Sequence, residues 1–321
     1  MEWWQAVILG LVEGITEFLP ISSTGHLVIA SSLLGLDDPA RKPAIDAFNI
    51  VIQGGAILAV LGLYWPTILR MLKGLLGRDP AGLRLARNIL VAFIPAAILG
   101  PLLDDWIEAR LMSIGPVAAA LALGGVAMIL LERWRTNQQP DPKTRPDREA
   151  APLPPPAQDV PGPSDPAPST PPHLDTSTPS LASLTLRQAL TIGLFQCLAM
   201  WPGTSRSMMT IVAGVLVGLK PKQAAEFSFL LGLPTLGGAC VYKLAKNLYK
   251  ARQNNTPSML ELIGPLPILL GLTVATASAF LAIKWLVAFL SHHGLAPFGY
   301  YRIALALLLI ILFLAGAVRI T

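Results

Sequence analysis

Two short stretches of the chain gather residue types that do chemistry together. In the first, Glu13 and Glu17 stand four residues apart and are followed by Pro20, the hydroxyls of Ser22, Ser23 and Thr24, then Gly25 and His26. The second reads Trp201-Pro202-Gly203-Thr204-Ser205-Arg206-Ser207, with Thr210 a turn later. On a helix an i, i+4 pair of carboxylates shares one face, with Cβ atoms about 5–6 Å apart. Two like charges that close, in a poorly solvated place, share a proton or bind a cation. Their oxygens suit Mg²⁺ or Ca²⁺, and a diphosphate would bring further oxygen ligands.

The segment Pro20 to Gly25 ends one helix and starts another, which leaves Ser22, Ser23 and Thr24 at a helix N-terminus. Free N–H groups and the positive end of the helix dipole make that place an anion site. Taken alone, such hydroxyls are caps. With a carboxylate one turn away and His26 beyond, a nucleophile becomes the stronger reading, because a serine that attacks phosphorus needs a base within reach. His26 could be that base or could protonate a leaving group. In the second stretch Arg206 carries most weight. Burying an arginine deep in a bilayer costs at least about 2.5–3.5 kcal/mol, so it demands a counter-charge. Phosphate fits its planar fork bidentately, and Glu13 or Glu17 could also answer it. Gly203, Ser205, Ser207 and Thr210 surround it as further phosphate-binding candidates.

These polar groups sit in a chain otherwise suited to lipid. Of 321 residues 53% are hydrophobic and 13% charged, with a mean hydropathy of +0.58, against about 25% charged in soluble proteins. The fold class expected is an all-α polytopic membrane protein. A formal charge of +5, spread near the ends of apolar runs without a basic block among aromatics, points to lipid headgroups and phosphate and away from nucleic acid. Cys197 and Cys240 read as small buried hydrophobes. Met1-Glu2-Trp3-Trp4 lacks the basic start of a cleaved signal peptide.

The elements that must position the polar groups follow from length. A span needs about 20 apolar residues, and each half of the run 3–36 is too short, so it reads as a re-entrant helical hairpin with a polar tip. Irregular backbone is tolerated at that depth only when buried in protein or facing water. Spans are expected over about 48–65, 86–103 and 112–131, with Trp65, Trp106 and Trp134 as interfacial anchors and a basic amphipathic connector from Thr67 to Arg84. Residues 136–183 hold 14 of the chain's 29 prolines and are expected to be a disordered loop. The region 184–321 then replays 1–135: a hairpin over 186–219 and spans over about 225–244, 266–289 and 299–318. Gly10 answers to Gly193, Glu13 to Gln196, and Pro20 with Ser23 to Pro202 with Ser205. A hairpin plus three crossings is an odd number, so the halves are inverted and their tips approach the midplane from opposite faces, a pattern of sites that handle polar cargo in lipid. Arg302, after Tyr300-Tyr301, reads as an interfacial anchor, with a further headgroup contact as the alternative. The distribution of Lys and Arg among short loops does not settle which end faces the cytoplasm.

At these residues the chain resembles a known family. Glu13-Gly-Ile-Thr-Glu17 is similar to its (E/Q)xxxE motif, Pro202 to Thr210 to its PGxSRSxxT motif, and Ser22 to His26 to a further shared string; the family is the bacterial undecaprenyl-diphosphatases, also known for bacitracin resistance. The resemblance runs through both halves and fails only over the Pro-rich stretch. It implies a Mg²⁺- or Ca²⁺-dependent hydrolase in the bacterial inner membrane, its site open to the outer face. Its substrate would be a prenyl diphosphate lipid, converted to the monophosphate carrier and phosphate for cell-wall synthesis. By the same resemblance Glu13 and Glu17 are the acidic and metal-binding pair, Ser23 the nucleophile, His26 a catalytic partner, and Ser205 with Arg206 a phosphate clamp. A metal-bound water as attacking group, with Ser23 only orienting phosphate, stays open, as does a homo-oligomer. The rival reading is a transporter or flippase of an anionic prenyl lipid.

Overall fold

The computed structural model describes residues 1–36, 38, 42–138, 181–253 and 259–318, and the regular structure among them is helical. The first apolar run is broken. Helix α1, Trp3–Thr16, starts from a reciprocal cap between Glu2 and Gln5, and α2, Ser23–Leu33, packs back on it as a hairpin. At 1.5 Å per residue their 14 and 11 residues reach about 21 and 16 Å, well short of a bilayer core of about 30 Å. The break is local chemistry. Pro20 has no N–H to give a helix, and Ser22 adopts φ +76°, which a right-handed helix cannot contain.

Next come α3, Lys42–Leu63, and α4, Trp65–Leu75, whose Trp65-Pro66 start makes a second helix out of the end of the span expected over 48–65. Then follow α5, Pro80–Leu111, and α6, Ile114–Gln138. The expected span 112–131 begins two residues early, since Met112 and Ser113 form the bend between these two. Asp79 opens α5 by accepting the Gly82 N–H at 2.8 Å and holds Arg70 of α4 at 3.1 Å. Most of the Pro-rich stretch expected to be disordered lies outside the described residues, but its edges are ordered: Thr136 to Gln138 continue α6, and Leu181–Ser183 form a 3-10 turn.

The second half opens with α7, Leu186–Leu198, capped by Thr185, and α8, Arg206–Leu216, which packs on it. Between them Pro202 and Gly203 lie in the turn that follows the end of α7, and Ser205 takes φ +73°. After these come α9, Pro221–Gln253, short α10, Met259–Ile263, then α11, Pro265–His292, and α12, Ala296–Leu314. The last ends four residues before the expected limit at Val318. Six of these helices, α3, α5, α6, α9, α11 and α12, are long and apolar enough to cross a membrane.

Each hairpin rests on the other half of the chain: α1 lies along α11 and α7 along α5, while α3 meets α9 and α6 meets α12. Lipid gives no hydrophobic drive to helix pairing, so close van der Waals contact through small residues does that work. A Cβ on Gly10 would lie 2.5 Å from the Gly271 carbonyl oxygen, and one on Gly14 would strike Ser278 and the Ala275 carbonyl. Phe18, in the first tip, packs edge-on against Phe229 of α9 at 5.5 Å between centroids. At one end of the bundle Lys246 of α9 donates to Asp104 and Asp105 of α5 at 2.7 and 2.8 Å.

Candidate functional site

The two hairpin tips meet. Ser23 opens α2, and its hydroxyl donates to Glu17 Oε2 at 2.8 Å across the break. Arg206 opens α8, and its Nη2 lies 3.5 Å from Glu17 Oε1. One carboxylate therefore holds the serine of the first tip with one oxygen and faces the arginine of the second with the other. Glu17 is 6% exposed, and the side chain of Arg206 9%. Burial sharpens the attraction between the two charges at a cost in desolvation, and makes removal of either partner costly.

Arg206 is further held by Nη1, which donates to the Ser228 carbonyl at 2.9 Å and lies 3.4 Å from its hydroxyl. Thr210 Oγ1 lies 2.6 Å from Ser228 Oγ and 2.9 Å from the Arg206 carbonyl, so it braces the strut that braces the arginine. Gly232 leaves room beside the guanidinium, since a Cβ there would be 3.2 Å from Nη1. The Phe18 ring covers its ζ-carbon at 5.6 Å, a cation–π contact. Neither Ser228 nor Phe18 was visible as a site residue in the sequence. Ser228 looks like any serine of an apolar helix, and nothing in its neighbourhood announces an arginine.

The remaining hydroxyls are spent on protein. Ser207 donates to the Leu19 carbonyl at 2.9 Å, a direct bond between tips, so the 3.0 Å contact with Ser205 is donated by Ser205. Ser205 also accepts the Met208 N–H, and Ser22 accepts that of Gly25, each as a cap. Thr24 lies half-buried in the first turn of α2. Ser207 and Thr210, expected as phosphate ligands, are brought together with Arg206 as its scaffold. Among these groups Ser23 differs: its proton goes to a carboxylate, and its oxygen accepts no hydrogen bond among the described residues.

His26 is placed beside the tip, and both ring nitrogens are engaged. Ser22's carbonyl can only accept, so Nδ1 carries the proton at 2.7 Å. Nε2 then accepts from the Tyr301 hydroxyl at 2.8 Å, the two rings lying parallel at 5.7 Å. Of the two bases the sequence offered for Ser23, the one in hydrogen-bond contact is Glu17.

Three buried polar atoms at the tips lack a partner among the described residues: Glu13 Oε2, an acceptor, and Arg206 Nε and Arg302 Nε, both donors. Buried orphans are rare and ask for a reason. An orphan acceptor beside Glu17 suits a divalent cation, and an orphan donor on Arg206 suits a phosphoryl oxygen. The described residues also gather Asp104, Asp105 and Glu108, but Lys246 already answers both aspartates.

Arg302 corrects an expectation. It is not an interfacial anchor but is fully buried, with Nη1 3.4 Å from the Pro20 carbonyl and Nη2 donating to the carbonyls of Gly203 and Ala120, both at 3.0 Å. The tips also correspond differently from the proline-based alignment. Among the described residues Ser22 and Ser205 are the non-glycine residues with positive φ, and each precedes the second helix of its hairpin. Ser22 therefore answers to Ser205 and Ser23 to Arg206, one residue on from the register in which Ser23 answers to Ser205.

Six long apolar helices and two broken hairpins whose tips share a carboxylate, a hydroxyl and an arginine define an all-α polytopic membrane protein with a polar site inside the bundle. The chain matches the family described as bacitracin resistance protein BacA over residues 6–308. It is 41% identical over 311 residues to an undecaprenyl-diphosphatase of Sorangium cellulosum, covering 97% of this chain and 86% of the relative. It is 39% identical over 317 residues to one of Deinococcus deserti, covering 98% and 97%. The chain belongs to the BacA family.

Proposed function

We propose that this membrane protein is an undecaprenyl-diphosphate phosphatase, which returns the lipid carrier to the monophosphate form used in cell-wall synthesis and so confers bacitracin resistance. The observation that carries the reading is the arrangement Ser23 Oγ–Glu17–Arg206, drawn from both tips; the names of the relatives agree with it. In the reaction, Ser23 Oγ attacks the terminal phosphorus and its proton passes to Glu17. The bond from that phosphorus to the bridging oxygen breaks, and the prenyl monophosphate leaves with the electron pair. Water then attacks the phosphoserine, and inorganic phosphate departs as Ser23 recovers a proton. Negative charge grows on the transferred group, and fixed donors aimed at it lower the barrier. Those donors are Arg206 and the N–H groups that open α2 and α8.

Glu13, with its orphan oxygen, and Glu17 would hold a divalent cation, Mg²⁺ or Ca²⁺, together with diphosphate oxygens; the ion would supply charge neutralisation. His26, tied to Tyr301, keeps the first tip in shape. We further read the two halves as inverted repeats, which the exchange of partners between hairpins and long helices supports. The site is read as open to the outer face of the bacterial inner membrane, on the strength of family membership.

The test is purified protein in detergent given a prenyl diphosphate and Mg²⁺ or Ca²⁺. Phosphate release supports the hydrolase. No release with any divalent ion would leave a carrier of anionic prenyl lipid as the reading to pursue.

A further inference from the structure

We infer that Arg302 is a positioning residue that sets the register of the two hairpin tips, so that the serine of one and the arginine of the other face the same phosphoryl group. The carbonyls it bonds occupy equivalent places. Pro20 stands three residues before Ser23, and Gly203 three before Arg206; both carbonyls are left without a helical acceptor role by the breaks that follow them. Arg302 Nη1 reaches the first at 3.4 Å and Nη2 the second at 3.0 Å. One guanidinium on α12 thus ties the chain just ahead of the nucleophile to the chain just ahead of the phosphate clamp.

The third partner, the Ala120 carbonyl at 3.0 Å, anchors this tie to α6. Gly124, one turn further along α6, makes room for it: a Cβ there would collide with Arg302 Nη2. No carboxylate is within ion-pair distance of Arg302 among the described residues, and its Nε is buried without a partner. A buried charge held only by carbonyl dipoles is costly. Its fork explains why arginine stands here, because two nitrogens in one plane reach carbonyls that diverge, which a single ammonium cannot do.

This inference rests on the reading of Ser23 and Arg206 as acting on one phosphoryl group. If it holds, removing the tie lets the two tips drift out of their shared register while Arg206 keeps its Ser228 strut, and a misplacement of about 1 Å can cost about 10²-fold in rate. In detergent-purified Arg302→Met, kcat for a prenyl diphosphate should fall about 10²-fold with KM within about three-fold, and Arg302→Lys should recover part of kcat. Amide exchange should quicken over Glu17 to Gly25 and Trp201 to Met208 and stay unchanged in the middle of α3 and α9. Arg206→Lys, which keeps a positive charge beside Glu17, should raise KM without that change in exchange.

Wild-type kcat and exchange in Arg302→Met would overturn the assignment. A raised KM with kcat kept would overturn it too, since that is the behaviour of a headgroup ligand. If neither substitution yields folded protein, Gly124→Ala, which crowds the guanidinium without removing it, must show the same kcat loss, and full activity there rejects the tie. Absence of phosphate release by the wild type is the failure of the phosphatase reading instead; the exchange comparison still tests the tie.

Discussion

Ser23 Oγ lies 2.8 Å from Glu17 Oε2, although six residues and a chain reversal separate them. The carboxylate that accepts the serine proton also faces Arg206 of the other hairpin at 3.5 Å. The proposed base and the proposed phosphate clamp are therefore coupled through one side chain, and each can be tested separately.

Ser23→Ala removes the attacking oxygen, and Glu17→Gln removes the base while keeping its shape. Each should lower phosphate release by about 10²-fold or more, and the double variant should lose little beyond either single one, as groups that act as a unit do. Rates measured under saturating substrate check this. Near wild-type turnover in Ser23→Ala would move the attack to water.

Arg206→Lys keeps a charge and loses the fork. The ammonium cannot serve Ser228 and Glu17 while offering a second planar donor to phosphate. Substrate KM is expected to rise about ten-fold or more, and Gly232→Ala, whose new Cβ presses on the guanidinium at 3.2–3.3 Å, should raise it more mildly. Initial rates over a range of prenyl diphosphate concentrations decide.

Chelation with EDTA should abolish release while leaving the thermal unfolding midpoint in place, because the proposed cation neutralises substrate rather than holding the helices. Glu13→Gln removes the charge beside the orphan Oε2 and should raise the Mg²⁺ concentration needed for half-maximal rate. An unchanged Mg²⁺ curve in that variant would place the ion elsewhere.

Gly14→Val forces two methyl groups into the space held by Ser278 and the Ala275 carbonyl. Overpacking of this kind costs about 1–3 kcal/mol, so the unfolding midpoint in detergent should drop. Activity should fall with it, since Glu17 directly follows α1. An equal substitution at Gly54, which has open space, should leave the midpoint near wild type and serves as the control.

Much of this was legible in the sequence. The Pro, Gly and hydroxyl clusters marked both hairpin breaks because those residue types favour turns and helix caps, and Arg206 called for Glu13 or Glu17 because a lone cation in lipid is costly. What stayed hidden depends on contacts between helices remote in the chain. Ser228 sits 22 residues beyond Arg206, and no local pattern marks a serine as a strut. Arg302 follows two tyrosines that do lie half-exposed, so its neighbours suggested an interface that its own side chain avoids. The register of the tips slipped by one residue because prolines were aligned. In the structure the matching feature is the backbone of Ser22 and Ser205, which letters do not display.

The lodging of each hairpin on the opposite half bears on how the molecule comes into being. Emerging from the ribosome, the first hairpin carries Glu13, Glu17 and Ser23 into the bilayer long before α11, the main seat of α1, or α12, with Arg302, has been made. A nascent chain holds Glu17 without the Arg206 that answers it, and no unfinished copy has an assembled pocket. Catalytic competence arrives late in synthesis, when the last described helix slides into place.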